Sequence, residues 1–254
     1  MDFYDTMAGS YDDVTQADAR RAGAKTFVTA LTDRFPSSSS ALDVACGTGL
    51  FTLPLAERGL ATVGADLSAE MLTLARRAAK QAGLAVRWEQ IEMQALGEAM
   101  EDTFDLIVCM GNSLPHVRED SALSATLDGF HERLSANGVL VIHLLNYERI
   151  LARRERIVGI TRVAGREYIR FYDFLHTPTG QPSCVRFNLL EIDWNEKGDK
   201  HTMDSTLLRP YGCEALLAAL SAHNFHDVKL YGGLDFSPYQ PNESDSLVLI
   251  AQRS

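Results

Sequence analysis

Residues 41–49, ALDVACGTG, decide the fold of this 254-residue chain. The apolar run at residues 41–45 is typical of a strand that is buried on both faces of a sheet. Asp43 lies inside this run, where a carboxylate needs partners, and we expect it to accept hydrogen bonds from amides of the following loop. Gly47 and Gly49 have no Cβ, so the backbone can turn sharply and a ligand can approach it closely. The stretch therefore predicts the first strand and the ligand-binding loop of an α/β domain.

A second strand at residues 61–65 ends in Asp66. An acid at this place, about 20 residues after a glycine turn, can accept hydrogen bonds from both hydroxyls of an adenosine ribose. A dinucleotide site would need a third glycine where this chain has Thr52, and a pyrophosphate would also meet Asp43. A ligand that carries an ammonium and a sulfonium matches the loop better. The pattern therefore predicts a nucleoside ligand and disfavours an NAD-linked oxidoreductase.

Other local signals place helices and strands around this unit. Helices are predicted at residues 17–31, at 50–56 with Thr48 as a candidate cap, and from Ser68 to residue 81 with Gly83 ending it. Further parallel strands are predicted at residues 84–89, 104–110 and 139–145, with a helix at 121–136 and a turn at 137–138. A helix at 212–223 and strands at 228–231 and 246–252 complete the predicted sheet.

The pattern changes between residues 155 and 209. Segments 166–176, 183–194 and 201–208 are rich in alternating, β-branched and aromatic residues, and the turn-forming sequences PTGQP and NEKGDK separate them. They predict a small antiparallel sheet inserted after the fifth strand. The fold class is therefore α/β, a Rossmann-like, doubly wound and mostly parallel sheet with an inserted antiparallel sheet.

Five motifs carry a resemblance to a known family and to one of its branches. LDVACGTG at 42–49 and DLSAEM at 66–71 resemble the first motif and the second-strand end of class I S-adenosylmethionine-dependent methyltransferases. CMGNSLPHV at 109–117, VLVIHLLNYERIL at 139–151 and DFSPYQP at 235–241 resemble the glycine N-methyltransferase branch. The resemblance implies S-adenosylmethionine as the methyl donor, S-adenosylhomocysteine as the product, and transfer to a small molecule, with an amine nitrogen favoured. It also implies three parts, namely an N-terminal helical cap at 1–36, the donor-binding domain at 37–154 and 210–254, and a substrate lid at 155–209.

The resemblance also assigns donor-binding residues. An N-terminal segment closes over the donor in this family, with a tyrosine near the sulfonium and an arginine at the donor carboxylate, for which Arg21 is favoured over Arg20. The predicted donor-binding set is Tyr4, Tyr11, Arg21, Asp43, Ala45, Gly47, Gly49, Asp66, Leu67, Met71, Glu92, Met93 and Met110.

Most of the residues expected to act on or bind the methyl acceptor lie in or just after the fourth and fifth strands. Asn112 and His116 follow the fourth strand and are expected to point toward the reacting centre, and either His116 or His143 can serve as a base at neutral pH. The predicted substrate-binding set is Asn112, Asn146, Tyr147, Tyr211 and Tyr239. Glycine-using members have an arginine directly before Asn-Tyr, where this chain has Leu145. Because that arginine grips the substrate carboxylate, glycine itself is doubtful. An oxygen or carbon acceptor, or donor binding without catalysis, stays open.

Composition limits the classes of partner. The formal net charge is -10, which argues against a nucleic-acid partner because phosphate binding needs a Lys/Arg surface. The first residues lack the basic and apolar regions of a signal peptide, and no apolar run approaches the roughly 20 residues of a membrane span. We therefore expect a cytoplasmic protein. The four cysteines are widely spaced, so no metal site is expected. The sequence does not choose between a monomer and a homo-oligomer.

Overall fold

The computed structural model describes residues 3–176, 182–195 and 200–253. The helices are α1 Phe3–Met7, α2 Tyr11–Thr15, α3 Ala17–Arg34, α4 Thr52–Glu57, α5 Ala69–Ala82, α6 Leu96–Ala99, α7 Asp120–Arg133, α8 Tyr147–Arg153 and α9 Cys213–Ala222. The strands are β1 Ser40–Val44, β2 Ala61–Asp66, β3 Arg87–Gln90, β4 Phe104–Cys109, β5 Leu134–Leu145, β6 Ile157–Val163, β7 Arg166–His176, β8 Pro182–Asp193, β9 Lys200–Leu208, β10 Phe225–Tyr231 and β11 Ser246–Arg253.

Seven strands form the central sheet in the order β10-β11-β5-β4-β1-β2-β3. The pairs from β5 to β3 are parallel, and β11 runs antiparallel to both β5 and β10. The chain moves outward from β1 to β3 and returns to β4 on the other side of β1. Ligands of open parallel sheets bind beyond the carboxyl ends of the strands at such a reversal. The predicted fold class is confirmed, and the reversal places a site beyond β1 and β4.

A separate antiparallel sheet has the order β6-β7-β8-β9. The strands predicted at residues 166–176, 183–194 and 201–208 are confirmed as β7, β8 and β9. The fourth strand, β6, was not predicted; it lies at the edge of this sheet and pairs with β7. The predicted turns at 178–182 and 195–200 lie largely outside the described residues.

Apolar side chains cover both faces of the central sheet. Leu42 and Ile107 belong to the cluster on one face, while Phe27 and Leu31 of α3 pack with Val108 on the other. This packing explains the predicted continuous apolar strands, since strands buried on both faces cannot alternate apolar with polar residues.

The N-terminal helices pack against the antiparallel sheet. Met7 at the end of α1 and Val14 of α2 are buried with Tyr168 of β7 and Leu189 of β8. The antiparallel sheet therefore holds the N-terminal segment in place through Met7 and Val14. Among the described residues, no helix combines the length and apolar composition that crossing a membrane requires.

The predicted boundary before the fifth strand is wrong: the helix expected at residues 121–136 ends at Arg133, and β5 already begins at Leu134. Residues 137–138 were expected to form a turn before the fifth strand, but they lie within β5, where the pairing with β4 shifts register. Asn137 has a φ of 62°, so the backbone makes a left-handed kink at this residue inside the strand. The turn signal thus marks a bulge rather than a chain reversal.

Candidate functional site

A cavity of about 1310 Å³, measured with its open mouth, lies beyond the carboxyl ends of β1, β2 and β4. The N-terminal helices α1 and α2 contribute to its wall together with the glycine loop and the residues after β3 and β4. Twelve sequence-predicted site residues line it, namely Tyr4, Tyr11, Asp43, Ala45, Gly47, Asp66, Leu67, Met71, Glu92, Met93, Met110 and His116. The tertiary structure therefore brings residues from five separate segments to one cavity.

The glycine loop turns through left-handed backbone conformations. Ala45, Gly47 and Gly49 have φ values of 56°, 55° and 90°. Asp66 fixes the loop from the end of β2, since its Oδ2 accepts a hydrogen bond from Gly47 N at 2.8 Å and its Oδ1 accepts one from Ser68 N at 2.9 Å. Each carboxylate oxygen can accept more than one hydrogen bond, so Asp66 can position the loop and also receive ligand hydroxyls.

Asp43 is buried in β1 beneath the loop. Its Oδ2 accepts a hydrogen bond from Thr52 Oγ1 at 2.6 Å. The expected partners were loop amides; the partner is Thr52 at the start of α4, which contributes both its hydroxyl and a backbone hydrogen bond. Burial raises the pKa of Asp43 to about 7, an effect that the hydrogen bonds from Thr52 oppose and the nearby charge of Asp66 reinforces. Thr52, which stands where a dinucleotide site would have its third glycine, therefore hydrogen-bonds the buried carboxyl group of Asp43.

Polar contacts fix the N-terminal segment over the cavity. The Tyr4 hydroxyl and His116 Nε2 share a hydrogen bond of 2.7 Å. Ser68 Oγ donates to Asp5 Oδ1 at 2.6 Å, and Thr48 Oγ1 donates to Asp12 at 2.8 Å.

These contacts show what the hydroxyl groups of Thr48 and Ser68 bind. Thr48 was expected to cap the following helix, but its hydroxyl contacts α2 instead, and the cap of α4 is Phe51. Ser68 does cap α5 as predicted, because its side chain accepts a hydrogen bond from Met71 N.

Arg20 lines the cavity, whereas Arg21 does not. Arg20 of α3 lines the wall, whereas Arg21 was the favoured candidate. Arg21 instead lies 3.8 Å from Asp12 Oδ2, and both side chains are about half exposed. Adjacent residues on a helix point in different directions, so only one of the two arginines can reach the cavity.

Several predicted acceptor-side residues are used in internal contacts. Asn112, with a φ of 70°, accepts a hydrogen bond from Leu145 N at 3.0 Å and donates one to the Tyr147 hydroxyl at 2.9 Å. His143 Nδ1 accepts from Gly111 N at 3.2 Å, and its Nε2 lies 3.0 Å from Ser246 Oγ. Burial, with a smaller effect of Arg20, lowers the pKa of His143 to about 4.

The remaining predicted substrate residues lie in the same network. Asn146 is buried and donates to the carbonyls of Pro241 and Ser244. The Tyr239 hydroxyl donates to Asn146 Oδ1 at 3.1 Å, and Tyr211 donates to the Val117 carbonyl. Leu145 packs against the large apolar core. Within the described residues, the cavity wall includes Gly111, Ser113 and His116 after β4, but not Asn112, His143, Asn146, Tyr147, Tyr211 or Tyr239.

Gly49 also lies outside the wall, and its backbone conformation is what calls for a glycine. Its φ of 90° is rarely adopted by residues with a side chain, whereas a Cβ there would meet Leu53 and Trp88 at 3.5 Å, an ordinary van der Waals distance. The lining residues that sequence reasoning did not select are Thr15, Ala17, Cys46, Thr48, Leu50, Phe51, Ser68, Ile91, Gln94, Gly111, Ser113 and Val117. Most of them flank a predicted residue by one or two positions, which is the signal that could have found them.

The charges of the wall are mixed but mainly acidic. Asp43, Asp66 and Glu92 contribute carboxyl groups, and Arg20 contributes a guanidinium. Glu92 accepts a hydrogen bond from Gln94 Nε2 at 2.9 Å. Met71, Met93 and Met110 add apolar surface between them. Such a wall suits a ligand that has an apolar body, hydroxyl or amine donors and a positive charge.

Comparisons with known proteins agree with this geometry. Residues 41–138 match the family model described as Methyltransferase domain. The glycine/sarcosine N-methyltransferase of Halorhodospira halochloris is 32% identical over 151 residues, which are 59% of this chain and 56% of that protein. The ubiquinone biosynthesis O-methyltransferase of Methylococcus capsulatus is 36% identical over 85 residues, which are 34% of this chain and 35% of that protein. The chain thus spans about half or less of the length of these relatives.

Whole-chain likeness is seen at the level of structure. The crystal structure of an S-adenosylmethionine-dependent methyltransferase from Clostridium acetobutylicum matches with a TM-score of 0.82 at 18% sequence identity, and the match covers 100% of both chains. At this identity the likeness shows the fold, which is the class I methyltransferase fold. Together with the family match, it confirms the resemblance inferred from the sequence.

Proposed function

We propose, from the methyltransferase domain at residues 41–138 and the cavity beside it, that this chain transfers a methyl group from S-adenosylmethionine to a small-molecule acceptor. The observation that carries the proposal is Asp66, which ends β2, fixes the glycine loop through Gly47 N and lines the cavity. An amine nitrogen is the favoured acceptor atom, because the acidic wall suits a basic acceptor better than an anionic one.

The residues present fit this donor. Asp66 would receive the ribose hydroxyls, and the short segment from Ile91 to Gln94 would hold the adenine. Asp43 and the glycine loop would face the amino-acid portion, and Arg20 would take its carboxylate. When bound, the donor supplies a methyl group on a positively charged sulfonium.

The chain would assist the reaction mainly by positioning the acceptor and by keeping water away from the methyl group. An amine nucleophile needs to arrive unprotonated, close to the methyl carbon and shielded from competing water. The contacts of Tyr4, Asp5 and Asp12 hold the N-terminal segment over the cavity, where it would shield a bound donor from water. His116, hydrogen-bonded to Tyr4, is placed to accept the proton that the methylated nitrogen releases. We assign residues 1–36 as the cap because α1 and α2 contribute to the cavity wall, and residues 155–209 as the substrate lid because Tyr168 and Leu189 of their sheet pack against the N-terminal segment.

An oxygen acceptor is the second candidate. The Tyr4–His116 pair favours it, because an alcohol or phenol must lose its proton during transfer and His116 is a base near the cavity. Glycine is not favoured, since Leu145 provides no guanidinium and packs, partly buried, against the core. A donor-binding module without catalysis is the alternative outside the enzyme class.

Thermal melting with S-adenosylhomocysteine and with NAD tests the donor. We expect stabilisation by the former alone, growing with ligand concentration. The Asp66→Ala variant is expected to bind S-adenosylhomocysteine at least about tenfold more weakly, because the ribose hydroxyls lose their acceptor. Glu89→Ala is the matched control, since Glu89 lies on the neighbouring strand and contacts Arg87 instead. Stabilisation by NAD in place of S-adenosylhomocysteine would overturn the proposal.

Turnover then separates the remaining alternatives. Formation of S-adenosylhomocysteine is measured against one panel of amines and one of alcohols and phenols, with the products identified by mass spectrometry. Methylated amines support the favoured acceptor class, and methylated hydroxyls support the second. Tight donor binding without any product would favour the non-catalytic module.

A further inference from the structure

The antiparallel sheet has two faces, and the rest of the described chain covers only one of them. Tyr168 and Leu189 lie on the covered face, where they are buried with Met7 and Val14 of the N-terminal segment. Side chains alternate along a strand, so the neighbouring positions point away from that segment. We call this opposite surface the outer face, and its apolar residues are Ile157 and Ile160 of β6, Ile169 and Phe171 of β7, Leu190 and Ile192 of β8, and Met203 of β9.

Cross-strand pairing joins these side chains into one surface. Ile160 pairs with Ile169, Ile169 pairs with Leu190, and Leu190 pairs with Met203. Residues that lie directly opposite each other share a face of the sheet, so an unbroken apolar row crosses all four strands. The other members of the outer face flank this row on both sides.

The outer face is open to solvent in the single chain. Ile157, Ile160 and Met203 are 63%, 51% and 62% exposed. Among the described residues, none of the seven belongs to an apolar core cluster or to the partly buried side chains that pack against one. Single exposed apolar residues are common, but a contiguous patch marks a surface that binds a partner.

The size of the outer face suits a protein partner. Its strands are 7 to 12 residues long. At about 3.3 Å per residue and about 4.8 Å between strands, four such strands present roughly 600 Å² in projection. Each partner in a stable, specific complex contributes about 800 Å² of accessible surface. The outer face and its rim therefore approach the area that a stable dimer needs.

The charges at the rim favour a second copy of this chain. Arg162 Nη2 lies 2.7 Å from Glu167 Oε1, and Arg156 Nη1 lies 3.6 Å from Asp173 Oδ1, so the rim carries both signs. A two-fold symmetric contact sets one surface against itself, and a rim of a single sign would repel its copy. Since the whole chain has a net charge of -10, a surface with locally balanced charge is the place where two copies can approach.

We propose that the outer face of the antiparallel sheet binds the same face of a second copy of this chain, an inference that goes beyond the proposed function and does not depend on it. The two sheets would pack face to face and interdigitate their apolar side chains. The covered face holds the N-terminal segment, so the two contacts do not compete for the same side chains.

Sedimentation velocity of the full chain over a range of concentrations tests the proposal. We expect a reversible dimer with a Kd of about 10 µM or below. Ile160→Lys and Met203→Lys are each expected to raise the Kd by at least about tenfold, and the double variant to remain monomeric, because the dimer would bury an unpaired ammonium. Both side chains are more than half exposed in the single chain, so the variants are expected to fold, which circular dichroism checks.

Thr202→Lys is the matched control. Thr202 is exposed and precedes Met203 on β9, so its side chain points away from the outer face. The control adds the same charge to the same strand, and its dimer Kd is expected to stay within about twofold of the wild-type value. Each substitution makes the chain less negative, so long-range repulsion between copies cannot explain a weaker dimer.

Four outcomes would overturn the proposal. A wild type that stays monomeric at about 100 µM has no such interface. An equal Kd for the wild type and the double variant would place the interface elsewhere, and equal weakening by Thr202→Lys would show no preference for the outer face. Binding of monomeric wild type to phosphatidylcholine vesicles, lost in the double variant, would assign the face to a lipid surface. Failure to bind S-adenosylhomocysteine would contradict the proposed function alone.

Discussion

The buried carboxyl of Asp43 makes a quantitative prediction about stability. Its pKa rises from 3.8 to about 7 on folding, mainly because of burial. The folded state therefore holds this proton more tightly than the unfolded state, so the stability that it contributes is complete below pH 3.8 and is lost as the pH rises to about 7. At about 1.4 kcal/mol for each unit of pKa, the loss amounts to about 4 kcal/mol in all.

The perturbation is Asp43→Asn, which cannot titrate. The amide oxygen can still accept the hydrogen bond from Thr52, while its buried N–H groups cost about 1–3 kcal/mol at every pH. The informative quantity is therefore the pH dependence and not the stability at one pH. Between about pH 5 and pH 8, the wild type is expected to lose about 3 kcal/mol that the variant does not lose.

Urea unfolding followed by tryptophan fluorescence measures this difference across the pH range. Asp105→Asn is the matched control, because burial would raise the pKa of Asp105 but hydrogen bonds from Ser39, Ser135 and Ser40 outweigh it and lower the pKa to about 2. Its stability contribution is lost only as the pH falls toward about 2, so its offset from the wild type is expected to be constant between about pH 5 and pH 8. Parallel profiles for the wild type and Asp43→Asn would refute the reasoning.

Two other predictions follow from neighbouring contacts. Arg20→Gln is expected to weaken S-adenosylhomocysteine binding by about tenfold and Arg21→Gln to leave it within about twofold, because only Arg20 lines the cavity; equal effects in calorimetry would contradict the placement. Gly64→Ala is expected to lower the unfolding free energy by about 1–3 kcal/mol, since its Cβ would lie 2.5 Å from the Trp88 ring in the packed sheet. An unchanged urea midpoint would show that Trp88 moves aside without cost.

Local patterns predicted much of the fold because their causes are local. Ser68 caps α5 and Gly83, with a φ of 68°, ends it, as the sequence of that helix indicates. The alternation in residues 166–176 predicted β7, because a strand with two different faces needs residues of alternating character. The Asn137-Gly138 signal was misread, since the same left-handed preference serves a turn and a bulge equally well.

The acceptor side shows where such reasoning fails. Asn112, His143 and Tyr147 are polar residues near the carboxyl ends of strands, which is where site residues are expected. Their partners are up to 103 residues away along the chain, as for His143 and Ser246. Nothing in the local sequence distinguishes a polar side chain that faces a ligand from one that joins two strands.

The sequence alone determined the glycine loop, the acid that ends β2 and the order of strands and helices, because each depends on backbone preferences and burial within a few neighbouring residues. Tertiary structure alone decided that Arg20 reaches the cavity and Arg21 does not, that Thr52 hydrogen-bonds Asp43, and that His143 contacts Gly111 and Ser246. These outcomes depend on the direction of a side chain relative to segments that folding brings together, and that direction is fixed by packing across the whole molecule.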